Sequence, residues 1–296
     1  MNYYNEIKQQ LINNEIIKKV KDYSKNRNDL NTYYNIGKLL SEAGKHYSEG
    51  IIKEYSIKLT NELNKKYDVS SLNKMRKFYN LIKKMATVSP DLSYSHYVEL
   101  LPYDDLNKIK YYIKIIEEQK LSIRQLRKKI KNKEYERLDD KIKSKIINND
   151  RYNIEDFVKN PILIQNRTNY DIVSEKILHQ LILEDIPSFL DELGPEFTFI
   201  RNEYKIKLGE RYNYIDLLLY NIEFNCYVVV ELKVTELKKE HIGQIQVYMN
   251  YIDNNLKKAN QSKTIGIIIV KKNNKYIIEY CSDERIISKE YKLILL

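Results

Sequence analysis

Tyr227-Val228-Val229-Val230-Glu231-Leu232-Lys233-Val234 is apolar on both faces until its last third, the pattern of a central strand covered on both sides of a sheet. Charge enters only where the strand finishes. Side chains alternate along a strand, so Glu231 and Lys233 fall on one face, about 7 Å apart at roughly 3.3–3.4 Å per residue, and can line one pocket. One hairpin upstream, Asp216 stands between Ile215 and Leu217-Leu218-Leu219, an acidic residue inside an otherwise apolar strand. Such a carboxylate needs a partner: burying it unpaired is costly, and two carboxylates brought together repel one another further.

Lys233 can compensate one of these charges, and a hard divalent cation the remainder. Mg²⁺, with Mn²⁺ as its alternative, suits carboxylates plus waters. Two carboxylates, a lysine and such an ion make a water-activating site for phosphodiester hydrolysis. Asp216 and Glu231 would hold the ion, the ion would acidify a bound water, and Lys233 would orient that water or stabilise charge on the phosphate. The competing reading is a structural salt bridge, because Glu-x-Lys alone is common by chance.

Working outward, the pattern places a helix from about Tyr170 to Leu193, divided or kinked at Pro187 and stopped by Gly194-Pro195. Three extended runs follow, Phe197 to Leu208, Tyr212 to Tyr220 and Cys226 to Val234. A helix from about Lys239 to Ile252 precedes a last strand pair, Thr264 to Val270 and Tyr276 to Tyr280. On that helix Gln244 and Tyr248 lie four apart, hence on one face, and can lean over the same pocket.

From Asn2 to about Leu138 the apolar residues recur at helical spacing, as in Ile7, Leu11, Ile12 and Ile16 and later Ile51, Tyr55, Leu59 and Leu63. Breaks fall at Ala43-Gly44, at Asp68 to Ser71, where Ser70 or Ser71 could cap a helix from Leu72, and at Ser89-Pro90-Asp91. The polar segment Asp139 to Asn160 closes on Asn160-Pro161 and marks the boundary, giving two domains, 1–150 and 151–296. Residues 1–150 hold 31 Lys+Arg and 20 Asp+Glu, a net +11, which leaves −1 for the remainder of a chain of net +10. An acidic partner such as nucleic acid is the simplest reading of that asymmetry, against a general Lys- and Tyr-rich compositional drift. The densest basic run is Arg124, Arg127, Lys128, Lys129 and Lys131, extending to Lys133; it reads as a phosphate-contacting helix or, alternatively, as a solvated face.

Membrane and secreted classes are excluded at this level. No stretch approaches the roughly 18 uninterrupted apolar residues of a span, and the N-terminal MNYYNEIKQQ lacks the basic-then-apolar layout of a signal peptide. Only Cys226 and Cys281 are present, too few for a disulfide framework or a cysteine-rich zinc site. A cytoplasmic protein is the expectation.

An Asp in one strand, Glu-x-Lys in the next and Gln-x-x-x-Tyr on the following helix resemble the PD-(D/E)XK nuclease superfamily, particularly its RecB-like members. The resemblance tightens to the YhcG-like family of bacterial and archaeal PD-(D/E)XK proteins and covers most of the chain. It is carried by Tyr33-Tyr34-Asn35-Ile36-Gly37, by Leu72 to Tyr79, by Leu92-Ser93-Tyr94-Ser95-His96-Tyr97, and by Phe189-Leu190-Asp191-Glu192-Leu193-Gly194. Tyr214 to Tyr220, Val230 to Lys233 and Gly243-Gln244 through Tyr248 complete it. Departures are Ile215 in place of the superfamily's Pro, Tyr34 and Tyr94 in place of Trp, and Asn202-Glu203 where Arg-Gln is usual.

The resemblance implies an all-α, winged-helix-like N-terminal domain followed by an α/β restriction-endonuclease-like domain with a mixed central sheet. It implies a Mg²⁺- or Mn²⁺-dependent nuclease acting on DNA, with RNA as the other candidate substrate. Asp216, Glu231, Lys233, Gln244 and Tyr248 would form the catalytic set. A Glu from the first core helix would join Asp216 and Glu231 at the metal, with Glu184 the candidate and Glu175 the reserve. Association with restriction or genome-defence proteins is a further expectation of the family, and a homodimer is a separate expectation for the chain. Two other readings stand beside this one: a nuclease fold that binds nucleic acid or assembles complexes without cutting, and a helical protein-interaction adaptor. His241 beside the site reads as a capping residue sooner than a catalyst, and His96 lies far from the carboxylates in sequence.

Overall fold

A computed structural model describes residues 2–19, 25–48, 50–86, 88–89, 91–138, 140–148, 150, 153–194, 196–281 and 283–295. Of the residues named above, Pro90, Asp139 and Pro195 lie outside this set. The chain forms two compact units, 1–135 and 136–296. Among the described residues no helix is long and apolar enough to cross a membrane.

The first unit is helical: α1 (Tyr3–Lys19), α2 (Lys25–Tyr47), α3 (Ile51–Leu63), α4 (Val69–Met85), α5 (Tyr94–Leu100), α6 (Leu106–Gln119) and α7 (Ile123–Lys131). Its described residues contain no strand, so the helical expectation holds without the β-hairpin of a wing. Side-chain caps set several helix starts. Asp68, not Ser70 or Ser71, caps α4 by accepting the Ser71 N–H at 2.7 Å, and Ser122 and Gln125 close a reciprocal cap on α7. The periodic residues Ile7, Leu11, Ile36, Leu40, Leu59 and Leu72 converge in one buried cluster. Gly37 marks where α2 meets α4, since a Cβ there would stand 2.2 Å from the Met75 carbonyl oxygen.

The second unit opens with α8 (Asp140–Asn148), α9 (Ile154–Phe157) and β1 (Ile162–Gln165), then α10 (Glu175–Glu184) and α11 (Ile186–Leu193). The strands β2 (Phe197–Leu208), β3 (Arg211–Asn221) and β4 (Cys226–Glu236) follow, then α12 (Lys239–Asn255), β5 (Ile265–Lys272), α13 (Lys275–Glu279) and β6 (Ile286–Ile294). The contact boundary at 135/136 precedes the division at 150/151 read from sequence. Arg137 accounts for the offset: its guanidinium grips Glu192 of α11 in a buried bidentate pair, and Glu192 also accepts the Leu163 N–H of β1 at 3.0 Å.

The six strands form one mixed sheet in the order β1-β6-β5-β4-β3-β2. β2, β3 and β4 run as an antiparallel meander, whereas β4, β5, β6 and β1 pair in parallel. α10 and α11 cover one face through Leu178, Leu181 and Phe189, and α12 covers the other through Ile245, Met249 and Ile252. β4 is central and covered on both sides, with Val228, Val229 and Val230 all 0% exposed.

Three elements differ from the sequence pattern. The helix expected over 170–193 begins only at Glu175, where Ser174 caps it, and it is two helices divided at Asp185, with Pro187 in the first turn of the second. The strand expected at Tyr276–Tyr280 is the helix α13: Ile277 and Ile278 pack inward while Tyr276 and Tyr280 stand out, a helical and not an alternating division of one apolar run. The last strand is β6, ten residues further on than Tyr276, and β1, only four residues long, carries no alternation of its own to betray it.

Replacing Gly37 by Ala sets a propensity gain of about 1 kcal/mol against an overpacking cost of about 1–3 kcal/mol. The colliding atom is backbone and cannot turn away, so the clash wins. Gly37→Ala should therefore lower the thermal midpoint of the helical unit; a midpoint at or above wild type would show that α2 and α4 slide apart freely.

Candidate active site

β3 and β4 are ladder-paired from Asn221↔Cys226 to Leu217↔Val230, and there the register ends although both strands continue. The first residues beyond the last pair are Asp216 and Glu231. Asp216 fills the gap with its side chain: its Oδ2 accepts the Leu232 N–H at 2.7 Å, standing in for a carbonyl of the missing ladder. β4 stays paired with β5 on its other edge, Glu231 with Ile268 and Lys233 with Val270, which fixes both side chains on one face.

Glu231 is 2% exposed and its two oxygens have different surroundings. Oε2 receives the Lys233 ammonium at 3.3 Å and the Gln244 amide at 3.2 Å, while Oε1 is buried with no hydrogen-bond partner. The same Gln244 Nε2 donates to the Tyr248 hydroxyl at 3.1 Å, so the two α12 residues four apart do share a face over the site. Lys233 also faces Glu175 of α10, Nζ to Oε2, at 3.8 Å. One turn along α10, the buried Nε2 of His179 has no partner, and the His179 ring acts electrostatically on Asp216.

Negative charge exceeds positive charge here, and the protonation equilibria record it. Burial, then the charge of Asp216, pushes Glu231 up from 4.5 to about 8, against the pull of Lys233. Asp216 is raised by burial, partly offset by the Leu232 hydrogen bond. Burial works to lower Lys233, but the combined fields of Glu231, Glu175 and Asp216 outweigh it and leave the ammonium firmly protonated. Tyr248 is raised by burial, opposed by its bond from Gln244.

Asp216, Glu231, Lys233, Gln244 and Tyr248 are therefore assembled in one place. Glu175 joins them and Glu184 does not. Glu184 is exposed nine residues further along α10, about 14 Å at 1.5 Å per residue, where Gln180 donates to it at 3.0 Å. The sequence pattern passed over His179; its spacing of four from Glu175 is the signal that puts both on one side of α10. His241 has the capping role expected of it, its Nδ1 accepting the Lys238 N–H at 3.2 Å, while burial and Lys233 lower its pKa. His96 likewise caps α5, accepting the Ser93 N–H at 3.1 Å.

Of the basic run on α7, Arg124, Arg127, Lys128 and Lys131 are exposed, and Arg127 pairs with Glu99 at 2.7 Å. Lys129 points the other way. It is 5% exposed and held 3.1 Å from buried Glu134, so it serves the core and not a phosphate.

No group of three His, Cys, Asp or Glu side chains is gathered around one point among the described residues. Asp216 is turned to Leu232, and Glu231 to Lys233 and Gln244. The donor set nonetheless fits a hard divalent cation. A buried carboxylate with one orphaned oxygen, Glu231, beside the half-buried carboxylate of Asp216, is a group whose burial a cation would offset.

Residues 155–296 match the family model described as the YhcG PDDEXK nuclease domain, and residues 7–137 match the DUF1016 N-terminal domain. The YhcG protein of Escherichia coli (strain K12) is 24% identical over 99 residues, which span 33% of this chain and 26% of that relative, about a quarter of its length. Among solved structures, a repair endonuclease from Pyrococcus abyssi is 19% identical with a TM-score of 0.29, over 43% of this chain and 49% of that one. The EndoMS–dsDNA2 complex is 18% identical with a TM-score of 0.29, over 43% and 48% of the two chains.

Glu231→Gln removes a buried charge while keeping the shape. A carboxyl whose folded pKa is raised from 4.5 to about 8 weakens the fold progressively as pH climbs through that window. In EDTA at pH 8 the variant should melt a few degrees above wild type, with the gap closing as pH falls towards 4.5. Equal or lower melting at pH 8 would mean that Glu231 is already compensated without a cation.

Proposed function

Starting from a chain that belongs to the YhcG-like family of PD-(D/E)XK nuclease-domain proteins, with a DUF1016 N-terminal domain ahead of the nuclease domain, we propose that it is a Mg²⁺- or Mn²⁺-dependent nuclease hydrolysing phosphodiester bonds in DNA. The observation that carries this reading is the pairing of half-buried Asp216 with buried Glu231 at the point where β3 and β4 part, with a lysine beside them and one carboxylate oxygen left without a partner. Asp216 and Glu231 would hold the ion, with Glu175 of α10 facing Lys233 beside them and His179 of the same helix acting electrostatically on Asp216. When bound, such an ion supplies Lewis acidity towards the phosphate and a water acidic enough to attack it.

The chain's own groups have separate tasks. Lys233 is protonated and fixed by Glu231, so its ammonium can donate to a phosphate oxygen as charge builds there. Gln244 holds Glu231 Oε2 in place and is itself oriented by the Tyr248 hydroxyl, a positioning pair on a rigid helix. The apolar β4 and β5 cores exclude water behind the carboxylates, which strengthens every charge interaction in front of them. DNA processing or genome defence is the setting we propose from the family resemblance.

Non-catalytic binding is the competing reading, and one observation favours it: both carboxylates already have protein partners and no ligand triad is gathered among the described residues. Cleavage of a panel of DNA and RNA forms separates the two. Lys233→Ala should lose about 10²–10³-fold in turnover while binding within a few-fold of wild type, the loss expected for one electrostatic donor. A wild type that cuts nothing with either metal, and whose melting temperature neither metal raises, would establish the non-catalytic reading.

The basic first unit supplies affinity in this scheme. Removing two phosphate contacts by Arg124→Ala with Lys131→Ala should weaken DNA binding at 50 mM salt and flatten the log K against log salt slope by about 2. An unchanged slope would move the contact surface off α7.

A further inference from the structure

Lys239, Ile242, Asn274, Tyr276, Ile277 and Tyr280 line a groove of about 720 Å³ between the start of α12 and α13. Its prominent feature is a pair of tyrosines on one side of a short helix. The Tyr280 N–H donates to the Tyr276 carbonyl at 3.1 Å, one helical turn back, which puts both side chains on the same face. They are 73% and 81% exposed, whereas Ile277 and Ile278 beside them pack into the domain. Two large rings held on an anchored helix and left in solvent contribute nothing to the core.

The groove continues the strand that carries the active site. From Lys233 to Glu236 is three residues of β4, about 10 Å, which is about three nucleotide rises of 3.4 Å. Glu236 accepts the Asn274 amide at 3.3 Å, and Asn274 immediately precedes α13. On the other side Lys239 begins α12, the helix that carries Gln244. Lys239 itself lines the groove, exposed Lys275 is the first residue of α13, and exposed Lys271 and Lys272 end β5, Lys272 facing Glu236 at 3.8 Å. Aromatic faces flanked by ammonium groups, a few nucleotide lengths from a phosphate-cutting site, match unpaired nucleic acid: bases stack on the rings and the backbone runs past the lysines.

We propose that Tyr276 and Tyr280 form a base-stacking site for a single-stranded or frayed segment of the substrate, a few nucleotides from the cleavage point. It rests on the nuclease reading and narrows it, since a duplex with every base stacked internally offers these rings nothing.

The test uses the full chain in EDTA and a short single-stranded DNA carrying 2-aminopurine, with a blunt duplex as comparison. Wild type should quench the probe, and Tyr276→Ala with Tyr280→Ala should bind the single strand about tenfold or more weakly while duplex affinity stays within twofold. Tyr276→Phe with Tyr280→Phe keeps the rings and should behave as wild type. Equal single-strand affinity in the alanine variant, equal losses on single strand and duplex, or failure of the phenylalanine variant to rescue would each overturn the stacking site. So would self-association of wild type that the alanine pair abolishes, which assigns the groove to a second copy. Cleavage by wild type is scored separately with metal: an enzyme that cuts without quenching the probe loses only this site, and one that quenches without cutting loses only the nuclease reading.

Discussion

A single hydrogen bond from a side chain to the backbone, the Leu232 N–H donating to Asp216, marks the place where this domain changes from scaffold to site. Had β3 and β4 stayed paired beyond Leu217↔Val230, their backbone groups would have satisfied one another and the sheet would have closed. Their parting leaves a backbone donor that must be answered in a buried place, and a carboxylate answers it. That carboxylate is in turn the first charge of the site. Structural need and chemical capacity therefore meet in the same residue, and neither Asp216 nor Leu232 can be understood from its own strand alone.

The second charge follows from the first. Glu231 lies one residue past the last β3–β4 pair, shares its pocket with Asp216, and is almost wholly shielded from water. Left alone, two such groups would hold a proton between them at neutral pH; one ammonium at 3.3 Å reduces that tendency without removing it. The unsatisfied Glu231 Oε1 lies on the same side of the balance. A salt bridge that served only stability would have one charge of each sign and no orphaned acceptor. This cluster has an acidic excess, and its arrangement is one that a bound cation completes.

How much of this the chain discloses varies with the kind of signal. β2, β3, β4, α12 and β5 were legible within a few residues, because period-two and period-3.6 patterns there are long and bounded by turn residues. Asp216, Glu231 and Lys233 stood out because charge inside an apolar strand is costly and rarely incidental. Gln244 and Tyr248 followed from helical spacing. Short elements did not disclose themselves: β1 has four residues, and the run Tyr276-Ile277-Ile278 reads as strand or helix until the side that meets the core is known. Glu175 and Glu184 illustrate a subtler limit. Both are glutamates of α10, and only the three-dimensional position of the helix start, set by the Ser174 cap, brings the first to Lys233 and leaves the second in solvent. Lys129 makes the same point for charge, since a basic residue in a basic run can face inward when a buried glutamate waits for it.

The aim of Gln244 is decided on the neighbouring strand. Ile245 and Met249, each one residue after Gln244 and Tyr248, press α12 onto β5 at Gly266, where a Cβ would stand 2.6 Å from the Met249 sulfur and 2.8 Å from Ile245 Cδ1. A side chain there would have to displace the ends of both Met249 and Ile245. Gly266 is in register with Val229 of β4 and Ile268 with Glu231, so the contact lies two residues down the same pair of strands from the carboxylate. Neighbouring helix residues differ by about 100° around the axis, which carries Gln244 and Tyr248 to the flank facing Glu231 once Ile245 and Met249 are seated. The hydrogen bond from Gln244 to Glu231 is thus the far end of a packing constraint, and a site made of polar groups takes its geometry from a glycine that touches none of them.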